Sequence, residues 1–176
     1  MRPHRSPRLL LATLLMPLAG SGCVVVADNQ LHRDDAGKTI VIPAGQGRAY
    51  DDYHYAPAVR VGDTVIVSGI PAGGEGSYED QIRRMFERAR KTLEAAGAKL
   101  TDVVEINTFH AQPKDSAAFN AEFERFLKVH KEYFPEGYPA WTAVGTTALL
   151  APGAVVEMRL VAVTGAGRSL RVQRQD

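Results

Sequence analysis

Residues 155–163, Val-Val-Glu-Met-Arg-Leu-Val-Ala-Val, alternate so strictly that they suit one local structure, a strand with two unlike faces. At a period of two, Val156, Met158, Leu160 and Ala162 fall on one side, and Val155, Glu157, Arg159 and Val161 on the other. A wholly apolar side has to be covered, whereas a side bearing a carboxylate and a guanidinium can meet water, so the chain must build a sheet with one buried face. Glu157 and Arg159 stand roughly 6 to 7 Å apart along the second side, from the rise per residue. A β-rich run at 141–150 precedes this strand, and Ala151-Pro152-Gly153 lies between them. Proline presets one φ and glycine permits a positive one, which is turn chemistry, and the whole of 139–163 predicts a hairpin.

The remaining chain supplies what that sheet needs. Lys38–Ile42 reads as a short strand stopped by Pro43, and a cluster of tyrosines follows at 50–55. Within residues 58–69, Gly62-Asp63 between two β-branched runs signals a hairpin. Gly73-Gly74-Glu75-Gly76 reads as a flexible loop without the lysine and the strand-to-helix context of a phosphate cradle. Ser77 and Asp80 resemble a capping box that opens a helix to about Ala96, with Gly97 as its stop. Ile82, Met85, Phe86, Ala89 and Leu93 give this helix one apolar stripe, and Arg83, Arg84, Glu87, Arg88, Arg90 and Lys91 give it a solvated face. Residues 103–111 read as a strand with Val104, Ile106 and Thr108 on one face. Asp115 or Ser116 caps a second helix whose stripe is Phe119, Phe123, Phe126, Leu127 and His130, ending before Phe134. The order of strands and helices predicts an α+β domain with two helices on one face of one sheet.

The first 22 residues behave as a targeting segment: Arg2, Arg5 and Arg8 precede an apolar run at 9–19 that is too short for the roughly 20 residues of a membrane span. Cys23, the only cysteine, stands where a bacterial lipoprotein signal places its lipidated thiol. Ordinary secretion with cleavage after Ala27 is the alternative. Either way the domain works outside the cytoplasm, in the periplasm if anchored at the membrane by a lipid on Cys23. The expected layout is a signal peptide at 1–22, a lipidated cysteine and polar tether at 23–37, a domain at 38–164 and a disordered tail at 165–176. Removal of the signal leaves 18 basic against 20 acidic residues, a mildly acidic chain that argues against broad nucleic-acid binding.

Several motifs together resemble the Rid family, also called the YjgF or L-PSP endoribonuclease family. They are Tyr-x-x-Ala-Val-x-Val-Gly-Asp at 55–63, Val-Ser-Gly at 67–69, Leu-Glu-Ala-Ala-Gly at 93–97, Phe-Asn-Ala-Glu-Phe at 119–123 and Val-Glu-Met at 156–158. The resemblance implies a chorismate-mutase-like fold, a homotrimer around a central barrel, and inter-subunit clefts that take a small-molecule ligand. It implies hydrolysis of reactive 2-imino acids to keto acids and ammonia, with no cofactor and no metal. Tyr55, Ser68, Asn120 and Glu157 stand at the family's cleft positions, Glu157 as the group that positions water. A ribonuclease, suggested by the older family name, lacks a basic groove here.

One position departs from the pattern. The arginine that follows Pro-Ala in the family, and pairs with the substrate carboxylate, is Trp141 in this chain. An indole offers one neutral N–H and an aromatic face in place of a charged fork, which forfeits a contact of about 1.5 to 3 kcal/mol. Trp141 either stacks a planar or cationic ligand or fills the cleft and packs an interface. Glu157 either orients water or forms an ion pair with Arg159, and Arg159 is a candidate to replace the missing arginine. The loss of that arginine counts against standard imino-acid deamination, and a non-catalytic trimeric binding module is the alternative to a hydrolase of imines or related small reactive metabolites. His54 reads as a surface residue, and His110 and His130 as structural ones without metal-ligand spacing.

Overall fold

The computed structural model describes residues 37–175, so the signal segment and Cys23 lie outside the described residues. Six strands form one sheet: β1 (Lys38–Val41), β2 (Ala58–Val61), β3 (Thr64–Ala72), β4 (Val103–Ala111), β5 (Ala140–Thr146) and β6 (Val156–Val163). Their order across the sheet is β1-β2-β3-β6-β4-β5. Two long helices, α2 (Tyr78–Ala95) and α3 (Ser116–Tyr133), cover one face, and a five-residue helix, α1 (Gly47–Asp51), joins β1 to β2.

Local sequence explains most of these elements. Val61 pairs with Thr64, so Gly62 and Asp63 form a two-residue hairpin loop, with Gly62 at φ 57°. The Ser77 hydroxyl accepts from the Asp80 N–H at 3.2 Å, and the Asp80 carboxylate accepts from the Ser77 N–H at 3.3 Å, a reciprocal capping box. Asp115 caps α3 by accepting from the Ala118 N–H at 2.8 Å. Ile82, Met85 and Phe86 of α2 are fully buried against Val65, Met158 and Leu160 of the sheet. Burial of each such side chain is worth about 1.5 to 3 kcal/mol. Phe86 stacks on Tyr133 at 4.7 Å and tilts against Phe126 at 5.8 Å, which fixes α2 to α3.

The expected hairpin over 139–163 does not form. β4 lies between its two strands: β5 runs parallel to β4, and β6 runs antiparallel to both β3 and β4. The reason lies in the connections and the burial. A strand that returns through α3 to the same face must arrive parallel. β6, with Val156, Met158, Leu160 and Ala162 all fully buried, is best satisfied at the centre of the sheet. Pro152-Gly153 is still a turn, with Gly153 at φ 73° and the Ala154 N–H bonded to the Ala151 carbonyl at 3.2 Å, but it lies on a crossing connection.

Three smaller corrections follow. A register shift between Val103 and Glu105 turns Val104 out to solvent, so the buried face of β4 is Ile106, Thr108 and His110. On α3 the deeply buried residues are Phe126, Val129 and His130, while Phe119, Phe123 and Leu127 are half-buried. The tail expected to be disordered begins with a 3-10 turn over Ala166–Arg168, because the Asp102 carboxylate accepts from the Gly165 and Gly167 N–H groups at 3.1 and 3.0 Å.

Candidate functional site

A pocket of about 380 Å³ opens where α1, β3 and α2 meet, lined by Tyr55, Pro57, Ser68, Gly69 and Arg88 among others. β3 is irregular here: its pairing with β6 shifts between Val67 and Ile70, which frees Ser68 and Gly69 from the ladder. The Ser68 N–H and hydroxyl both donate to the preceding loop, to the carbonyls of Pro57 at 3.0 Å and Ala56 at 2.7 Å. The serine is therefore a braced hydroxyl with lone pairs to offer, consistent with binding more than nucleophilic attack. His54, at φ 57°, turns the chain ahead of Tyr55, whose N–H donates to the Ala49 carbonyl at 3.0 Å. Tyr55 lines the pocket and is 45% exposed.

Glu157, on β6, approaches Gly69 from the open side of the sheet and is not itself among the residues that line the pocket. Its carboxylate lies directly over the Cα of Gly69, where any Cβ would collide with it. Glycine at 69 is thus required by a neighbouring side chain. Glu157 is half-buried and has no hydrogen-bond or ion-pair partner among the described residues. The pair with Arg159 is not formed: Arg159 turns to Glu105 on β4, at 3.2 Å, and Asn107 donates to the same carboxylate at 2.5 Å. That arrangement leaves Glu157 as an acceptor beside the Ser68–Gly69 bulge, while Arg159 is committed to a neighbour.

Trp141 lies elsewhere. Its register with Ile106 puts it on the helix-covered side of the sheet, whereas Glu157 is on the open side. The indole N–H donates to the Thr108 hydroxyl at 3.0 Å, and the ring stacks on His130 at 4.5 Å with 15° between planes. Phe123 and Phe126 tilt against it at 4.9 and 5.4 Å. Thr108 also meets His110 at 3.1 Å, and His110 meets Glu122, which accepts from the Tyr78 hydroxyl at 3.0 Å. Burial and the Glu122 charge push the Tyr78 phenol up, keeping it a donor. This network ties β4 and β5 to both helices. Asn120 is exposed on the first turns of α3 and does not line the pocket.

Within one chain, then, Tyr55 and Ser68 line the pocket, Glu157 lies against Gly69 on the open side of the sheet, and Asn120, Trp141 and Arg159 lie elsewhere. The residue that sequence reasoning missed is Arg88. It was assigned to a solvated face, yet it lines the pocket and donates to the Pro71 carbonyl of β3. Its position four residues after Arg84 was the available signal, since both fall on the helix flank nearest the sheet.

Comparison with known proteins adds four findings. Residues 48–164 match the family model described as endoribonuclease L-PSP. The chain is 35% identical over 118 residues to the RutC family protein YjgH of Escherichia coli (strain K12), covering 64% of this chain and 86% of that protein. It is 34% identical over 116 residues to a 2-iminobutanoate/2-iminopropanoate deaminase of Dermatophagoides farinae, covering 62% of this chain and 84% of that protein. The solved structure of YjgH superposes with a TM-score of 0.61 at 33% identity, over 72% of this chain and 96% of that one.

Proposed function

The chain belongs to the endoribonuclease L-PSP family, and on that premise we propose that it is an exported hydrolase of small C=N electrophiles in which Glu157 orients the attacking water. Water adds to the imine carbon as the Glu157 carboxylate takes a proton from it and passes that proton to the nitrogen, and the resulting carbinolamine loses ammonia as Glu157 carries its hydroxyl proton to the leaving nitrogen and the carbonyl forms. Tyr55 and Ser68 hold the ligand at the pocket wall. The observation that carries the reading is the unpaired Glu157 carboxylate seated against Gly69, the neighbour of Ser68 in the chain. The relative named as an imine deaminase supports the reaction class.

A homotrimer closing around the open face of the sheet is part of this reading. Val61, Ile66 and Val144 lie exposed on that face, which supports a partner there. Export is supported by the basic and apolar segment ahead of Cys23.

The test is purified mature protein mixed with enzymatically generated 2-iminopropanoate, followed by keto-acid release. Acceleration that Glu157→Ala removes is the expected outcome. No acceleration favours the second reading, a trimeric small-molecule-binding module. That reading has its own support in Trp141, whose N–H is spent on Thr108 and which supplies no charged anchor for a carboxylate.

A further inference from the structure

Beside the Tyr55–Ser68 pocket lies a second cavity of about 470 Å³, between α2, the 73–74 backbone and the 151–154 turn. The two share Pro71 and Arg88. Arg84, Arg88 and Lys91 line the second cavity, at spacings of four and three that put them on one flank of α2. Its one lining carboxylate, Glu87, is engaged by Arg90 at 2.6 Å.

The other long cations of α2 are neutralised. Arg83 forms a bidentate pair with Glu132 at 2.9 and 2.7 Å, and Arg90 pairs with Glu87 and Glu94. Arg84 and Arg88 are held differently. Arg84 Nη2 donates to the carbonyls of Gly73 at 3.3 Å and Glu75 at 2.5 Å, and Arg88 Nη2 donates to the Pro71 carbonyl. The glycine loop does connect a strand to a helix, contrary to the sequence expectation, but it turns carbonyls, not amides, toward Arg84. Gly74 and Gly76, at φ 93° and 97°, let it wrap around that guanidinium. Carbonyls fix a guanidinium in place without cancelling its charge, so the cavity is preorganised and electropositive. Nε and Nη1 of both arginines have no hydrogen-bond partner among the described residues. Burial first, and then the Arg84 charge, pulls the Arg88 pKa down, as expected for two cations facing each other with no anion between them.

We propose that this cavity binds a multiply charged small oxyanion, a phosphate or polycarboxylate group, through Arg84, Arg88 and Lys91, and that the shared Arg88 presents the rest of the same ligand to the Tyr55–Ser68 pocket. The anion site stands on its own geometry. Its use in positioning a substrate rests on the hydrolase reading above. The ligand class is then an imine that carries a second acidic group beyond its reacting carbon, and the anchor absent at 141 is supplied from α2.

The experiment is calorimetric titration of the full mature chain with inorganic phosphate, citrate and acetate at matched ionic strength. Saturable binding of phosphate or citrate at least tenfold tighter than acetate is expected, and which of the two binds more tightly assigns the group. Arg84→Gln and Arg88→Gln each weaken it by about tenfold. Lys128→Gln, a charge loss on the exposed face of α3, leaves it unchanged. Arg88→Lys, which keeps the charge, retains part of the affinity should Arg88→Gln melt early. Binding that is unsaturable, that treats acetate like phosphate, or that falls equally in Lys128→Gln overturns the proposal. Phosphate bound normally by Glu157→Ala, or by a protein without hydrolase activity, leaves the anion site standing whatever becomes of the hydrolase reading.

Discussion

His130 is 3% exposed, stacks flat on Trp141 and Phe134, and has an Nε2 with no partner among the described residues. Burial holds its pKa down to about 4, against an ordinary 6.5. The unfolded chain therefore binds more protons than the folded one between those two values, and stability falls as pH drops through that window. Between pH 7 and pH 5 the loss amounts to about 2 kcal/mol. Urea unfolding at the two pH values checks this: His130→Phe, which keeps the stacked ring and removes the titration, flattens the difference. A difference of the same size in both proteins assigns the effect to other groups. At this scale the sequence was informative about placement where that depends on a residue's own strand face, as for Glu157, or on a local motif, as for Tyr55 and Ser68. It was uninformative where the role depends on who has already claimed the neighbours. Whether Arg88 is neutralised or left charged turns on Glu87 choosing Arg90, a contest between side chains that spacing does not decide. The burial of Trp141 likewise turns on α3 lying across β5.

The elements themselves were legible because each carries its own start and stop signals. Ser77 with Asp80 opens α2, Gly97 at φ 81° follows its end, and Gly62-Asp63 closes the first hairpin. Pairing partners were not, since two adjacent runs joined by Pro-Gly satisfy a hairpin and a crossing connection equally well. The choice is made by α3, which returns β5 parallel to β4 and leaves the centre of the sheet for β6. The open side of that sheet carries a prediction. Ile66 of β3 and Val161 of β6 are directly paired, and Ile66 is 38% exposed. Placing a carboxylate in a buried apolar interface there leaves an uncompensated charge. Light scattering should find a trimer for the native chain and a monomer for Ile66→Glu. A native monomer removes the trimer from the reading.

At the level of the whole molecule, the first strand of the described residues, β1, begins at Lys38, where the sequence reads as a strand. If the segment ahead of Cys23 is a signal, its basic residues leave with it and the remainder is mildly acidic. If Cys23 carries lipid, the intact mass of protein extracted from membranes exceeds that of the chain beginning at residue 23 by the mass of a lipid group. An unmodified N-terminus at residue 28 assigns ordinary secretion instead. The sheet order has a consequence for folding. Since β6 alone joins β3 to β4, a nascent chain that ends before residue 156 holds two half-sheets linked only through the packing of α2 on α3. Consolidation of the sheet must wait for residues 156–163, the strand of longest sequence separation from its partner β3, which makes that pairing the slow step of folding.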